Sequence, residues 1–237
     1  MHAWRSTWQH LRQFVLPWHC LLCGAAGAEG MDLCADCAAE LPRNVRCCAR
    51  CALPLAVPAA WCGRCQRHAP PWDAAWAPFR YGWPLDRLEA RYKFGGELAA
   101  GRTLSTLWQR EPRPLALPQA LLVVPLHTSR LRQRGYNQAL ELARPLARAL
   151  GVPLHVDALH RVRPTQAQTE LDARARRRNV RGAFALVAGT ALPAHVAVLD
   201  DVMTTGATLA ECVRVLKRAG VHTVDAWALA RAPAPGG

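Results

Sequence analysis

Two adjacent carboxylates in the second half of the chain are the residues whose types and spacing best suit chemistry. Asp200 and Asp201 directly follow the apolar residues 196–199. Such an uninterrupted apolar run predicts a strand buried on both faces of a parallel sheet. Because successive strand side chains point to opposite sides, the two carboxylates should diverge and accept hydrogen bonds from different donors, such as the hydroxyls of a sugar diol.

The segment after the two acids has the composition of a phosphate site. It leads into a helical apolar pattern that ends at Gly220 and consists of Thr204, Thr205, Gly206, Ala207 and Thr208. A loop of small residues at a helix N-terminus offers backbone N–H groups, hydroxyls and a favourable dipole to a phosphate. The alternative is that the acids only cap a helix and the threonines are ordinary turn residues, but the preceding strand and the TTGAT sequence favour a sugar-phosphate pocket.

This stretch resembles the phosphoribosyl pyrophosphate (PRPP) loop of the type I phosphoribosyltransferases. The resemblance implies that Asp200 and Asp201 hold the ribose hydroxyls. It also implies that residues 204–208 hold the 5'-phosphate.

Eight of the ten cysteines form a repeated pattern of CxxC pairs. Two pairs separated by ten residues recur at an offset of 28, at Cys20, Cys23, Cys34 and Cys37 and then at Cys48, Cys51, Cys62 and Cys65. Two such pairs complete the tetrahedral all-thiolate site that Zn2+ prefers, and filling all four positions makes the metal structural. Pairing within each repeat is favoured over crossed pairing, because it explains the duplication. Cys47 stays outside the site, and Cys212 is interpreted as a buried core residue.

The net charge of +13 comes almost wholly from arginine, since Lys93 and Lys217 are the only lysines. Genomic base composition could explain this bias, but its physical consequence is affinity for phosphates or nucleic acid. No stretch approaches the roughly 18 apolar residues of a membrane span. Residues 1–19 predict a short amphipathic helix that packs on the body, with a peripheral membrane contact as the weaker option. The expected compartment is the cytoplasm.

The chain divides into four predicted parts: the N-terminal helix over 1–19, a double zinc ribbon over 20–68, connecting elements over 69–120 and the main domain over 121–237. Strands are predicted at 72–81, 121–125, 154–159, 183–187, 196–199 and 221–229, and helices at 85–94, 98–108 and 138–150. Asn137 is the predicted N-cap of the last helix, and Pro145 predicts a kink or break in it. This alternation predicts an α/β fold with a parallel sheet, whose ligands lie beyond the carboxyl ends of the strands.

Two basic segments are candidates for holding a pyrophosphate. The loop after the strand at 121–125 carries His127, Arg130 and Arg134, although a solvated basic turn is the alternative. Residues 161–181, which include Arg176, predict a hinged loop that closes over a diphosphate. A flexible nucleic-acid contact explains that loop equally well.

Nearly the whole chain resembles the ComF family of competence and DNA-uptake proteins, which includes the GntX-like proteins. The resemblance lies in the ribbon, LEARYKFGG with Lys93, VPLHTSRLRQRGYNQA, QTELDARARRRNVRGAF and the PRPP loop, in that order. It implies a type I phosphoribosyltransferase-like sheet with a small zinc-ribbon module, and PRPP with Mg2+ as ligands. It adds Lys93 to the pyrophosphate and loop candidates. It also implies single-stranded DNA and a competence helicase-type protein as partners.

Two functions therefore stay open. One is a PRPP-binding protein or phosphoribosyltransferase, for which spacing fixes no general base. The other is a non-catalytic accessory protein that binds single-stranded DNA, with some of the nine tryptophans as stacking platforms. Against stacking, most of these tryptophans are expected to fill the core or the ribbon interface.

Overall fold

The computed structural model describes residues 18–28, 30–163 and 173–234. Helices in these ranges are α1 (Ala35–Ala39), α2 (Gly63–Arg67), α3 (Leu85–Phe94), α4 (Leu98–Arg110), α5 (Thr128–Arg134), α6 (Gln138–Leu150), α7 (Ala173–Val180) and α8 (Ala207–Arg218). The strands are β1 (Ala75–Trp76), β2 (Phe79–Arg80), β3 (Ala120–Val123), β4 (Leu154–His155), β5 (Leu159–Arg161), β6 (Phe184–Leu186), β7 (His195–Met203) and β8 (Thr223–Arg231). The described residues exclude 1–17, and with them nearly all of the predicted helix over 1–19. They also exclude 164–172, which are part of the predicted basic loop over 161–181.

Six strands form one parallel sheet in the order β1–β8–β7–β3–β4, with β2 also paired to β8. The register places Ala197 opposite Leu121 on one side and opposite Asp225 on the other. The predicted α/β fold with a parallel sheet is confirmed. The predicted edge strand over 72–81 is present as the two short strands β1 and β2, between which Pro78 offers no amide to a ladder.

Both faces of this sheet are buried, which explains why its strands lack polar alternation. One face carries Leu122 and Val198, which share a core with the apolar side of α8. The other carries Leu121, Leu199 and Trp227, in a core shared with α3, α4 and α6. Helices therefore cover the sheet on both sides and leave the carboxyl ends of the strands as the accessible edge. Within the described ranges, every helix is too short or too polar to cross a bilayer.

The prediction that residues 183–187 complete the parallel sheet is wrong. β6 pairs antiparallel with β5 in a separate two-stranded sheet, with Leu159 opposite Leu186. The predicted strand over 154–159 is accordingly divided, since β4 joins the main sheet and β5 does not. A short apolar run satisfies either kind of ladder, so the sequence pattern could not decide which sheet it joins.

Helices also depart from the predicted pattern at three places. The loop after β3 contains α5, which Gly135 ends in the left-handed conformation at φ 80°. Residues within 161–181 form α7. The predicted break at Pro145 is absent, because α6 continues past this residue to Leu150. Leu142 and Leu146, before and after Pro145, are both buried in the core.

The two zinc-ribbon repeats have the same backbone structure. The amide of Cys20 donates to the carbonyl of Ala25 at 2.7 Å, and the amide of Cys48 donates to the carbonyl of Leu53 at 2.8 Å. Gly24 and Ala52, which occupy the same position in the two repeats, both have the left-handed backbone conformation. The helices α1 and α2 are also related by the offset of 28 residues. The duplication seen in the sequence is therefore a structural duplication.

Candidate functional site: a sugar-phosphate pocket beside a double zinc ribbon

The eight CxxC cysteines converge into two clusters, and each cluster comes from one repeat. Within each cluster the Sγ atoms all lie within 4.8 Å of one another. The Sγ atoms of Cys23 and Cys34 are 3.6 Å apart, and those of Cys51 and Cys62 are 3.8 Å apart. A tetrahedral zinc site with Zn–S bonds of about 2.3 Å requires S···S distances of about 3.8 Å. The thiols therefore fit Zn2+, and the favoured pairing within each repeat is confirmed.

Backbone amides support both clusters in the same way. Cys34 and Cys62 are the N-caps of α1 and α2, and their Sγ atoms accept from the amides of Cys37 and Cys65, each at 3.4 Å. All ten cysteines are free of disulfides. Cys212 is fully buried in the core, as expected.

The two acids lie where β7 extends past its neighbour β3. The strand β3 ends at Val123, opposite Leu199, whereas the ladder between β7 and β8 continues to Met203. The predicted strand over 196–199 is therefore too short, because β8 is long enough to pair with β7 beyond the acids. Asp200 and Asp201 still lie at the carboxyl edge of the sheet, because β3 ends before it reaches them.

Lys93 on α3 is ion-paired with this acid pair. Its Nζ lies 2.7 Å from Oδ2 of Asp201 and 3.7 Å from Oε2 of Glu89, one helical turn before it. Glu89 is completely buried, and neither of its carboxylate oxygens has a hydrogen-bond partner. One ammonium thus lies among three carboxyl groups, those of Glu89, Asp200 and Asp201.

This arrangement gives the carboxyl groups of Glu89, Asp200 and Asp201 different pKa values. Burial raises the pKa of Asp200 well above its usual range, and the charge of Asp201 adds to the rise. Burial also opposes ionisation of Asp201, but the Lys93 ammonium outweighs it and lowers the pKa of Asp201. Burial raises the pKa of Glu89 to about 7 despite the opposite pull of Lys93. Asp201 is therefore the more acidic member of the pair, and Asp200 is the less acidic one.

The loop between β7 and α8 has the geometry of an anion cradle. Gly206 is the N-cap of α8 in the left-handed conformation, at φ 73°, and makes no side-chain cap. The hydroxyl of Thr205 accepts from the amide of Ala207 at 3.3 Å. A Cβ on Gly206 would lie 2.8 Å from the ring of Trp72. Both the backbone conformation and this close contact require glycine.

The basic loop after β3 is held against the start of α6. Asn137 caps α6 with its Oδ1 and donates from Nδ2 to the carbonyl of Val124 at 3.0 Å. Nδ1 of His127 accepts from the amide of Ser129 at 3.3 Å. Nη1 of Arg134 donates to Oε1 of Gln138 at 3.2 Å. Burial, followed by repulsion from Arg134, lowers the pKa of Arg130, which indicates that the two guanidinium groups share one region.

The structure brings together only some of the predicted residues. Lys93, predicted among the pyrophosphate and loop candidates, lies at the acid pair, where its Nζ contacts Asp201. The backbone of Arg176 lies in α7, but its side chain is outside the described set. Glu89 and Arg161 were not predicted from the sequence. Arg161 lies on β5, close enough to Asp200 and Arg130 for their charges to affect its pKa. The i, i+4 spacing of Glu89 and Lys93 was the one available signal for Glu89.

Comparisons with known proteins agree with this architecture. The double zinc ribbon domain family matches residues 11–66, and the phosphoribosyl transferase domain family matches residues 137–236. Among solved structures, a glutamic acid mutant in a study of an invariant aspartic acid in HPRTs is a distant likeness, with 14% identity and a TM-score of 0.29 over 63% of this chain and 79% of that chain. That likeness is too low to support any inference about fold or function.

Curated relatives match over most of their lengths. Competence protein F of Haemophilus influenzae is 38% identical over 174 residues, which are 70% of this chain and 76% of the relative. DNA utilization protein YhgH of Salmonella typhimurium is 38% identical over 227 residues, which are 92% of this chain and 98% of the relative. Competence protein ComFC of Streptococcus pneumoniae is 28% identical over 155 residues, which are 65% of this chain and 67% of the relative. The chain therefore belongs to the family of competence protein F and YhgH, in which a double zinc ribbon precedes a phosphoribosyltransferase-like domain.

Proposed function

We propose that the pocket at the carboxyl edge of the sheet binds PRPP, or a closely related sugar phosphate, together with Mg2+. The observation that carries this proposal is the continuous unit of β7, loop and α8, which puts Asp201, a carboxyl with a lowered pKa, a few residues before a helix N-terminus that begins at a left-handed glycine. Carboxylates accept hydrogen bonds from sugar hydroxyls, and the backbone N–H groups of a helix N-terminus donate to phosphate oxygens. One ligand that carries both groups matches both halves of the unit.

The acid pair would hold the ribose. Asp201 is kept ionised by Lys93 at 2.7 Å, so it is ready to accept a hydrogen bond from a hydroxyl. Asp200 has the opposite character, because burial raises its pKa well above its usual range. A ribose diol, with two adjacent hydroxyls that can donate or accept, can satisfy both groups.

The loop Thr204, Thr205, Gly206, Ala207 and Thr208 would hold the 5'-phosphate, and the pyrophosphate would meet the basic side chains of His127, Arg130, Arg134 and Arg176. Among the described residues, the two cysteine clusters are the only groups with three or more convergent metal-type ligands. The protein therefore offers no complete Mg2+ site of its own there, and the ion would enter on the oxygens of the pyrophosphate. When bound, Mg2+ would neutralise negative charge on that group.

The transfer reaction that this pocket would support is displacement at the anomeric carbon. A nucleophile forms a bond to C1', the bond from C1' to the pyrophosphate oxygen breaks, and pyrophosphate leaves with the electron pair. The arginines would stabilise the charge that develops on the leaving group. Fold alone does not specify chemistry, so release of pyrophosphate is the measurement that distinguishes transfer from binding.

Calorimetric titration of PRPP with Mg2+ into the zinc-loaded chain tests the binding proposal. The double variant Asp200→Asn, Asp201→Asn should lose binding, whereas Asp157→Asn, at an exposed position, should keep it. Unchanged affinity in the double variant would contradict the assignment of the acid pair. Pyrophosphate release with nucleobases as acceptors would then distinguish a transferase from a binding protein.

A second function, binding of single-stranded DNA, is favoured by one exposed feature of the ribbon. The guanidinium of Arg50 lies 3.8 Å from the ring centroid of Trp61, which is 42% exposed. Such a pair suits base stacking beside a phosphate backbone. The relatives are named for competence and DNA utilization, which supports a role in DNA uptake for this chain. A competence helicase-type partner stays a prediction.

A salt titration of oligonucleotide binding tests this second function. Trp61→Ala should weaken binding about tenfold, in line with the loss of one stacking contact. Trp83→Ala removes another exposed tryptophan, outside the ribbon, and serves as the control. Equal affinity of wild type and Trp61→Ala would exclude the ribbon as the stacking surface, and absence of a salt dependence would exclude phosphate contacts.

A further inference from the structure

We infer that the second cysteine cluster is a structural support of the sugar-phosphate loop, and that Arg231 and Trp72 are the positioning residues that connect them. The second cluster here means Cys48, Cys51, Cys62 and Cys65, and the loop means residues 203–208. The inference rests on the proposed function only for the identity of the ligand. The connection itself consists of contacts between protein groups.

Arg231 makes the first connection. It ends β8 and is only 5% exposed. Its Nε donates to the carbonyl of Cys51 at 3.1 Å, and its Nη1 donates to the carbonyl of Met203 at 2.9 Å and also to that of Thr204. One buried guanidinium therefore joins a zinc ligand's own carbonyl to the first two residues of the loop. Buried charge of this kind needs every one of these acceptors in place.

Trp72 makes the second connection from another direction. Its Nε1 donates to the carbonyl of Arg50 at 2.7 Å, inside the same CxxC turn. Its ring packs against Gly206, where a Cβ would approach to 2.8 Å. The turn between Cys48 and Cys51 thus supplies an acceptor to each of the two residues that contact the loop.

In the described contacts, the first cluster makes no connection to the loop. Cys20 and Cys34 belong to the core on the opposite face of the sheet, with Phe79 and Leu85. All four cysteines of the second cluster share a core with Trp72, Met203 and Ala207. The duplication therefore gave two equivalent ribbons different positions, and only the second lies against the pocket.

The physical link is the geometry of the metal-bound turn. Four thiolates on one ion fix the CxxC backbone, and hence the direction of the carbonyls of Arg50 and Cys51. Without the ion, no bond joins the four sulfur atoms, and the turn loses the cross-link that holds its backbone. Arg231 and Trp72 would then lose their acceptors, and the loop would lose its rigid support. Loss of zinc from the second cluster should thus loosen the loop, whereas loss from the first should not.

Hydrogen exchange of the full-length, zinc-loaded chain tests this inference. In Cys65→Ser, amides of residues 203–208 should exchange about tenfold faster than in wild type. In Cys37→Ser, the equivalent change in the first cluster, they should exchange at the wild-type rate. Protection of residues 196–199 reports whether the sheet is intact in each variant. Equal protection of the loop in wild type and in a folded Cys65→Ser would overturn the inference.

Trp72→Phe decides the matter if Cys65→Ser does not fold, because it keeps all eight ligands while it removes the donor to Arg50 and the indole ring atoms that pack against Gly206. It should speed exchange of the loop and also speed release of one of two zinc ions to a chromogenic chelator. The matched control is Trp76→Phe, whose ring packs on Trp108 and Trp227 on the other face. Wild-type values for Trp72→Phe in both measurements would overturn the inference.

Titration with PRPP and Mg2+ separates this inference from the proposed function. If both are right, Trp72→Phe should lower the affinity about tenfold and Trp76→Phe should leave it unchanged. If wild type binds no PRPP but the exchange results hold, the proposed ligand is wrong and the support of the loop by the second cluster stands. If wild type binds PRPP and Trp72→Phe binds it equally well, the connection does not control the pocket.

Discussion

Glu89→Gln should change how the stability of the protein depends on pH. Glu89 is fully buried beside Lys93, and its pKa is raised from 4.5 to about 7. A carboxyl whose pKa is raised by folding binds a proton more tightly in the folded state. Its contribution to stability is therefore fully present below pH 4.5 and is lost as the pH rises through 7. The amide that replaces the carboxyl in Glu89→Gln is neutral throughout, so the variant should lack this loss.

The size of the effect follows from the two pKa values. Between pH 6 and pH 8 the wild type should lose about 1.4 kcal/mol of unfolding free energy through this group alone, which is close to one pKa unit of linkage. For a chain of this length that corresponds to a shift of about 3 to 5 °C in Tm. The same loss should be absent from Glu89→Gln, whose stability relative to wild type should therefore increase with pH.

Urea unfolding at pH 6, 7 and 8 measures this difference, with the fluorescence of the buried Trp108 and Trp227 as the signal. Zinc must be kept saturating at each pH, so that histidine and cysteine titrations cancel between variant and wild type. Glu141→Gln is the control, because Glu141 pairs only with Arg144 on the surface in the described contacts. Parallel pH profiles for wild type and Glu89→Gln would refute the assignment of a raised pKa to this group.

Three further substitutions test the close packing at two glycines and the charge of Lys93. Gly206→Ala should cost about 1 to 3 kcal/mol, because φ 73° and the Trp72 ring both oppose a Cβ; a stability within about 0.5 kcal/mol of wild type in urea unfolding would contradict the close packing. Gly101→Ala should cost a similar amount, since its Cβ would meet the buried Tyr92 ring at 2.5 Å, and an unchanged Tm would show that the ring can move. Lys93→Met should raise the pKa of Asp201 by removing its ammonium partner. PRPP affinity, measured by calorimetry, should then fall more at pH 6 than at pH 8, and an equal loss at both values would argue against this electrostatic role.

The parts of the structure that the sequence predicted are those that short-range physics controls. Residues 196–199 form a buried strand because four consecutive apolar side chains have no polar face to expose. The cysteines pair within each repeat because the CxxC turns and the ten-residue spacing bring four thiols together locally. Asn137 caps α6, as predicted, because its side chain reaches amides only two and three residues ahead.

Other features required the tertiary structure, because they join segments that are far apart along the chain. The contact of Lys93 with Asp201 depends on how α3 packs on one face of the sheet. The link from Arg231 to Cys51 depends on which face of the sheet receives each ribbon. The sequence alone determined which local units exist: the strand over 196–199, the cysteine turns and the loop of small residues at 204–208. Only the tertiary structure decided which units meet, because sheet order and helix packing are set by the burial of the whole apolar surface.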